Sequence, residues 1–416
     1  MPADVARAVE AVWRIEGRRI VAALARMAGD FGLAEDVAQE ALAEALGSWP
    51  GQGVPQNAGA WLTAVAKRRL IDGWRRRGRL DERYAQLAHE MGDTSDLAWE
   101  PIEDDLLRLV FTACHPVLSR ESQIALTLRV VGGLTSQEIA RMLMVPVATV
   151  QARITRAKKT LAAANVPFAT PDPPEWPARL VGVLGVIYLI FTEGYAATAG
   201  ERGIRPDLAD EALRLGRMLR GIVPREPEAH ALVALMELQR SRFAARESPG
   251  GGPVLLDEQD RSRWDRGQIA RGSAVLREAE RCARARGRGN GPYALQAAIA
   301  ECHCRAVSVD DTDWEGIVLL YEALCRIAPN PMADLARAVA VSMSTGPATA
   351  LRIVDEIAAS GRLRGSAALP GVRGELLTRL GRTDEARSAL SAAAALATND
   401  AQRSVFERKL ARLTER

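Results

Sequence analysis

The segment TSQEIARMLMVPVATVQARITRA, residues 135–157, predicts two short helices joined by a tight turn. Thr135 and Glu138 have the spacing of a capping box, in which each side chain satisfies a free backbone donor of the first helix. Residues 144–146 make the turn. The second helix carries an inward apolar stripe at spacings of four, three and four residues, formed by Val150, Ile154, Ala157 and Leu161. The segment is therefore a candidate helix-turn-helix.

The other side of the second helix is small, polar and basic. Between residues 141 and 160 there are five cations and no acid. Such a surface suits insertion into the major groove of DNA, although an ordinary helical hairpin with no role in DNA binding is the alternative. The outward residues are Thr149, Gln151, Ala152, Thr155, Arg156 and Lys159, with Arg153 at the edge.

Residues 32–49 predict an amphipathic helix in the N-terminal part of the chain. Asp36, Gln39 and Glu40 share its polar side at i, i+3 and i+4 spacing, which on its own indicates a solvated face. Its apolar side is formed by Leu33, Val37, Ala41, Leu42, Ala45 and Trp49. A loop over residues 50–59 follows, and Asn57 is a plausible N-cap for the next helix.

That next helix, residues 58–77, ends in a basic cluster. Seven cations stand against one acid, Asp72, within thirteen residues, which is more than the helix dipole requires. Trp61 and Trp74 are interleaved with them. Cations bind phosphates and aromatic faces stack on unpaired bases, although a merely solvated basic helix is the alternative. The cations are Lys67, Arg68, Arg69, Arg75, Arg76, Arg77 and Arg79.

Composition favours helices throughout, because aromatic residues make up only 5% of the chain and good helix formers dominate it. The five cysteines form no CxxC pair, and Cys302-His303-Cys304 is too compressed for usual zinc ligation. We therefore expect an all-α protein of a reducing cytoplasm, without cofactor or metal. The most apolar run, residues 180–191, is too short to cross a membrane and predicts a core helix.

The chain divides into five zones. Residues 1–79 are helical, 80–103 are acidic, 104–165 contain the helix-turn-helix, 166–175 are rich in proline, and 176–416 form a second helical body. Residues 248–253, SPGGGP, interrupt this body as a loop, and residues 254–256 form either a short strand or an anchor. Gly346 and Gly381, 35 residues apart, each separate two helices, close to the period of about 34 residues in tetratricopeptide repeats.

Residues 1–165 resemble the extracytoplasmic-function group of RNA polymerase sigma factors, which belong to the sigma-70 family. The resemblance rests on four motifs in the right order, with the expected linker between them. They are DVAQEA at 36–41, WL with LIDGWRR at 61–62 and 70–76, TSQEIA at 135–140, and PVATVQAR at 146–153.

The resemblance implies a role for each motif. Asp36, Gln39 and Glu40 match sigma region 2.2, which binds the clamp helices of the polymerase β′ subunit, and the β flap is a further implied partner. Residues implied to open and read the −10 promoter element are Asn57, Trp61, Lys67, Arg68, Arg69, Trp74, Arg75 and Arg76. Residues implied to read the −35 element are Thr149, Gln151, Ala152, Arg153, Thr155, Arg156 and Lys159.

The resemblance also covers the linker and the C-terminal body. Residues 84–107 contain seven acids and neither Lys nor Arg, and in sigma factors this segment runs near the RNA path. The acids are Glu90, Asp93, Asp96, Glu100, Glu103, Asp104 and Asp105. The second body resembles a tetratricopeptide-related extension of one sigma subgroup, through FTEGY at 191–195, QDRSRWD at 259–265, GPY at 291–293 and TDW at 312–314. The SPGGGP loop departs from an Asp-Gly-Gly-Arg-like turn in that subgroup.

Two other functions compete with a promoter-specificity subunit whose extension regulates it, through contact with the sigma core or with polymerase. A stand-alone helix-turn-helix regulator with a repeat-type sensor domain would need no strand-opening element, so the basic helix and its tryptophans argue against it. An enzyme is the weakest hypothesis. Its candidate pocket residues are equally consistent with core hydrogen bonds, and they are Glu193, Tyr195, Gln259, Asp260, Arg261 and Trp264.

Overall fold

The computed structural model describes residues 2–76, 103–143, 145–195, 206–246, 254–397 and 400–414. Within these ranges the chain is helical and has no β-strand, so the all-α prediction is confirmed. Residues 254–256 lead into a 3-10 turn, Leu256–Glu258, rather than a strand. The predicted SPGGGP loop and most of the acidic linker lie outside the described residues. The chain divides into two compact units, Met1–Ile187 and Tyr188–Arg416.

The first unit begins with three helices that pack against one another around a common core. Leu24, Trp49, Leu62 and Leu70 are fully buried in it. Helices of this unit are α1 (Pro2–Ala28), α2 (Phe31–Gln52), α3 (Ala58–Arg76), α4 (Glu103–Ala113), α5 (Arg120–Leu126), α6 (Ser136–Leu143), α7 (Val147–Ala163) and the first part of α8 (Trp176–Tyr195).

The end of α2 differs from the prediction. The helix continues through Pro50 to Gln52 and closes with a hydrogen bond of 2.9 Å from the Gly53 N–H to the Trp49 carbonyl. Gly53 has φ 83°, a left-handed conformation that glycine adopts without steric cost. The connection to α3 is therefore only residues 53–57, shorter than the predicted loop over 50–59. Asn57 caps α3 as predicted, since its Oδ1 accepts from the Ala60 N–H at 3.0 Å.

Asp105 was expected to be one of the acids of the linker, and the structure contradicts this. It lies inside α4, its side chain is completely buried, and it accepts from Arg108 at 2.9 Å. Arg26 of α1 approaches its other oxygen to 3.1 Å. A buried carboxylate needs such cationic partners, so Asp105 ties α4 to α1 and is not available to face RNA.

The segment before the helix-turn-helix is continuous with it. Helix α5 passes into a π-helical turn, Thr127–Val131, which ends at Gly132, and Gly133 has φ 74°. The two glycines therefore separate this helix from α6. Val130 and Val131 are buried, so this turn packs into the core beneath α6.

The second unit contains the remainder of α8 and ten further helices in the described residues. They are α9 (Pro206–Ile222), α10 (Pro227–Arg240), α11 (Arg266–Ala285), α12 (Pro292–Arg305), α13 (Trp314–Ile327), α14 (Pro331–Ser344), α15 (Pro347–Ala359), α16 (Ala368–Arg379), α17 (Thr383–Leu396) and α18 (Asp400–Thr414). Helix α10 lies at the centre of the N-terminal half of the second unit, because nearly all of its residues from Pro227 to Leu238 are buried.

The predicted helix pair at the C-terminal end is also present. Leu376 and Leu377 of α16 and Leu390 of α17 are buried in one apolar cluster. Gly381 lies between these helices with φ 74°, and Gly346 lies between α14 and α15 with φ 115°. Both glycines thus take conformations that a side chain would strain.

Helix α8 contains the apolar run predicted to be a core helix, and Leu184, Ile190 and Phe191 are fully buried. Among the described helices, none has the length and apolar content needed to cross a bilayer. Near its end, α8 approaches α9 closely at Gly194. A Cβ atom on Gly194 would lie 2.5 Å from the backbone nitrogen of Ala209.

We therefore expect Gly194→Ala to lower the free energy of unfolding of the second unit by about 1–3 kcal/mol, because the two backbones must separate. Gly221→Ala is the matched control, since a Cβ at this exposed position in the last turn of α9 meets no atom within 4 Å. The control is expected to be neutral or slightly stabilising. Urea denaturation followed by circular dichroism measures both. Equal stability of the two variants would contradict the close helix approach.

Candidate functional site

The helix-turn-helix has the geometry that its sequence predicts. The Thr135 hydroxyl accepts from the Glu138 N–H at 3.1 Å, and the Glu138 carboxylate accepts from the Thr135 N–H at 2.8 Å. The capping box therefore starts α6. On α7 the predicted inward stripe is buried, comprising Val150, Ile154, Ala157 and Leu161.

The outward side of α7 is open to solvent. Exposed on it are Gln151, Ala152, Thr155, Arg156 and Lys159, while Thr149 and Arg153 are half-buried. These side chains form one continuous surface along α7 with cations and no acid. A duplex phosphate backbone or the edges of bases can therefore reach it without displacing a packed side chain.

Among the cations of α7, all of which the structure describes, Lys158 faces α2 instead. Its ammonium binds the carboxylates of Glu35 and Asp36 on α2, at 2.6 Å from Asp36 Oδ1. Arg129 of the π-helical turn donates to Gln39 Oε1 at 2.6 Å and lies 3.5 Å from Glu35. Two of the three residues expected to bind polymerase, Asp36 and Gln39, therefore contact the helix-turn-helix module.

This contact is more buried than a surface ion pair. The Glu35 side chain is only 4% exposed and that of Lys158 only 18%, so solvent screens the pair weakly. Burial alone would lower the pKa of Lys158, but Glu35 and Asp36 together raise it. The ammonium is thus charged at neutral pH and held by both acids.

Sequence reasoning missed Glu35, Arg129 and Lys158. Glu35 and Lys158 are 123 residues apart, and nothing local to either one reveals the other. One signal was present in the sequence. Glu35 falls between the apolar positions of α2, where a charged side chain that is buried requires a partner.

Helix α3 keeps part of its predicted nucleic-acid surface. Arg68 is exposed, and Trp61 is half-buried with its ring edge-on to Trp49 at 5.4 Å between centroids. Lys67 is half-buried, and burial, with a smaller contribution from Arg26, lowers its pKa. The side chains of residues 74–76, which include Trp74, Arg75 and Arg76, lie outside the described ones.

Arg69 does not behave as a free cation. Its guanidinium donates to Glu44 Oε2 at 2.6 Å and to Glu40 Oε2 at 3.0 Å. These hydrogen bonds, first to Glu44 and then to Glu40, raise the pKa of Arg69. The structure therefore joins Arg69, predicted on the DNA side, with Glu40, predicted on the polymerase side, in one ion-pair cluster between α2 and α3.

Motif residues of the second unit are engaged in its packing. Arg261 is only 7% exposed and donates to the carbonyls of His303 and Ala306, both at 2.9 Å, and to Thr312 at 3.2 Å. Trp264 is buried beneath its guanidinium. The QDRSRWD and TDW stretches thus meet at Arg261. Of the remaining candidates for an enzyme pocket, Gln259 donates to the Val254 carbonyl at 3.3 Å and Asp260 accepts from the Ser262 N–H at 2.9 Å. Glu193 and Tyr195 have side chains outside the described ones.

The GPY stretch at residues 291–293 also has a role in packing. The half-buried carboxylate of Glu228 on α10 accepts from the backbone N–H of Tyr293 at 2.8 Å and of Ala294 at 3.3 Å, which caps α12. A Cβ on Gly291 would lie 2.5 Å from that carboxyl carbon, so only glycine leaves room for this cap. Burial raises the pKa of Glu228, against these hydrogen bonds. Within the described residues no cluster of His, Cys, Asp and Glu could hold a metal ion.

Comparison with known proteins assigns families to three parts of the chain. Residues 13–80 match Sigma-70 region 2, and residues 108–161 match Sigma-70, region 4. Residues 179–280 match a family of unknown function (DUF6596). The first two ranges contain the three-helix bundle with α2 and α3, and the helix-turn-helix with α6 and α7.

A relative covers nearly the whole chain. It is a protein of Rhizobium meliloti (strain 1021), described as uncharacterized, with 43% identity over 400 residues, which are 93% of this chain and 92% of the relative. No solved structure matches the chain significantly. This chain belongs to the same family as the Rhizobium protein, and its two matched regions make it a sigma-70 family RNA polymerase sigma factor, a subunit for promoter recognition.

Proposed function

We propose that this sigma factor makes three contacts during initiation. Helix α2 binds the β′ clamp helices through Asp36, Gln39 and Glu40, the 53–57 loop with α3 opens the −10 element, and α7 reads the −35 element. The observation that carries the proposal is the exposed, acid-free side of α7 opposite a buried apolar stripe. Recognition helices in helix-turn-helix proteins need this division between a packed face and a free face.

We also propose that the factor is of the extracytoplasmic-function group and that its extension is related to tetratricopeptide repeats. The helix pairs separated by Gly346 and Gly381 support the second point. The extension regulates the sigma core in this proposal.

A truncation that tests this regulation must keep the start of α8. Trp176 packs edge-on to Phe111 at 5.0 Å, and Arg179 donates to the Phe111 carbonyl at 3.0 Å. A chain cut before residue 176 would therefore lose packing contacts of region 4 itself.

The proposed clamp contact on α2 uses residues that already bind Lys158 and Arg129. Lys158 and Arg129 occupy Glu35, Asp36 and Gln39, so the clamp and the helix-turn-helix compete for one face. We infer that polymerase binding separates α7 from α2. Separation also frees α7 to reach DNA at a distance from α3. In the closed arrangement, with α7 held on α2, the clamp-binding face is covered. The apparent association constant for polymerase is then the intrinsic constant multiplied by the fraction of chains that are open.

The clamp contact is tested by Asp36→Arg combined with Glu40→Arg. Their side chains are 66% and 57% exposed, so the stability change should stay within about 1 kcal/mol. We expect core polymerase no longer to co-purify with the variant. Asp207→Arg with Glu356→Arg, two exposed acids of the second unit, makes the same charge change and should co-purify normally. Equal recovery of polymerase with both variants would refute the contact.

Competition for α2 is tested by Lys158→Gln against Lys159→Gln. The first removes the ammonium that binds Glu35 and Asp36, and the second removes a solvent-exposed neighbour. If the pair contributes roughly 1.4 kcal/mol to the closed arrangement, Lys158→Gln should raise the affinity for core polymerase about tenfold. Lys159→Gln should leave it unchanged. Fluorescence anisotropy with labelled sigma factor gives both constants, and weaker binding by a folded Lys158→Gln chain would exclude the competition.

DNA reading by α7 is tested at Arg156, which is exposed and has no acid beside it on that surface. If it binds a phosphate, Arg156→Ala should lower the slope of log K against log salt by about 0.9 on every promoter. If it reads a base, the loss should be about 1–3 kcal/mol and confined to one position of the −35 element. Arg352→Ala, an exposed arginine on α15, is the control. If holoenzyme with Arg156→Ala binds promoters as tightly as holoenzyme with the unchanged chain, Arg156 does not contact DNA.

A further inference from the structure

The C-terminal unit encloses a cavity of about 800 Å³ that the sigma functions do not use. It lies between the 3-10 segment at Leu256–Glu258 and helices α12, α13, α14, α16 and α18. This volume is within the range of pockets that bury a drug-sized molecule. All of the lining belongs to the second unit.

Most of the lining is apolar. Trp314 of α13, Val339 of α14, Leu376 of α16 and Phe406 of α18 face the cavity from four different helices. Leu376 and Phe406 are part of the main apolar cluster of this half, so the wall is a rigid part of the core. An apolar body that enters the cavity would be removed from water on several sides, which favours binding by roughly 25 cal/mol per Å² of apolar surface buried.

The charges of the lining select the sign of a ligand. Arg261 is deep in the wall, and all of its hydrogen bonds go to carbonyl or hydroxyl oxygens. Arg379 is exposed at the mouth and donates to the Ser342 hydroxyl at 3.0 Å and to the Ser342 carbonyl at 3.2 Å. Neither guanidinium has a carboxylate within 4 Å in the described part of the chain. Neither charge is therefore neutralised in an ion pair, and both lie beside an apolar space.

The remaining titratable groups do not reverse this sign. Lys409 pairs with Glu375 across the mouth, and Asp257 is the other acid of the lining. Burial, followed by Arg242 and Arg261, lowers the pKa of His303 to about 4, so its ring is neutral near pH 7. Three cations thus face two acids, and the cation at the mouth without an acid is Arg379.

From this geometry we propose that the cavity is a binding site for a small organic anion with an apolar body. The body occupies the space between Trp314 and Phe406, and the acidic group lies beside Arg379. A carboxylate would supply the negative charge that the Ser342 oxygens, which Arg379 now contacts, do not carry, in a charge-assisted hydrogen bond. The site serves as an input for a chemical signal into the extension. The proposal does not depend on the contacts with polymerase or DNA.

The test uses three probes with one chain length and different head groups: decanoate, decanol and decylamine. Isothermal titration of the full chain, below the concentrations at which the probes aggregate, should give saturable one-to-one binding with decanoate tightest and decylamine weakest. Arg379→Gln should weaken decanoate about tenfold and leave decanol unchanged, because only the head-group contact is lost. Unchanged decanol binding also shows that the variant cavity is folded.

Two further variants complete the design. Val339→Trp places a large ring into the cavity from a position that is 38% exposed, and it should abolish binding of decanoate and decanol together. Arg352→Gln removes an exposed guanidinium on α15, away from the cavity, and should change nothing. The proposal is overturned if no probe binds, if decylamine binds as tightly as decanoate, if Arg379→Gln affects decanoate and decanol equally, or if Val339→Trp leaves decanoate binding intact.

Discussion

The buried carboxylate of Glu35 is the constraint on which the arrangement of the first unit depends. A charge that is removed from water must be paired, and Glu35 has no cation on its own helix to pair with. Lys158 and Arg129 supply the charge from the far end of the sigma core. The pairing therefore holds α7 and the π-helical turn on α2. Because both partners come from the promoter-reading module, the electrostatic need of one buried acid determines where that module lies.

The same pairing divides the basic residues of α7 into two groups. Lys158 points to α2, while Arg156 and Lys159 point to solvent. Neighbouring residues on a helix are about 100° apart, so one short basic run can serve both surfaces. The cations of α3 are divided in a similar way, since Arg69 binds Glu40 and Glu44 and Arg68 stays exposed. A count of cations therefore overestimates the positive charge that each helix exposes to solvent.

Local patterns in the sequence predict local structure well. The capping box at Thr135, the buried stripe on α7 and the cap at Asn57 each depend on residues three or four apart. Contacts between distant segments were not predictable, because periodicity carries no information about partners across the chain. Glu35 with Lys158 and Arg69 with Glu40 are of this kind. Asp105 was assigned to a solvated linker for the same reason, although Arg26, 79 positions earlier, completes its buried site.

In the extension, too, the contacts between distant segments could not be predicted from the sequence. The QDRSRWD and TDW stretches are conspicuous in sequence, but neither explains itself. Arg261 of the first stretch is satisfied by Thr312 of the second and by the carbonyls of His303, in the last turn of α12, and Ala306, just after it. None of those acceptors carries a charge. A guanidinium held by neutral oxygens fixes the backbone around it without forming an ion pair. The interaction that holds this part of the fold together therefore also places a positive charge in the wall of the adjoining cavity.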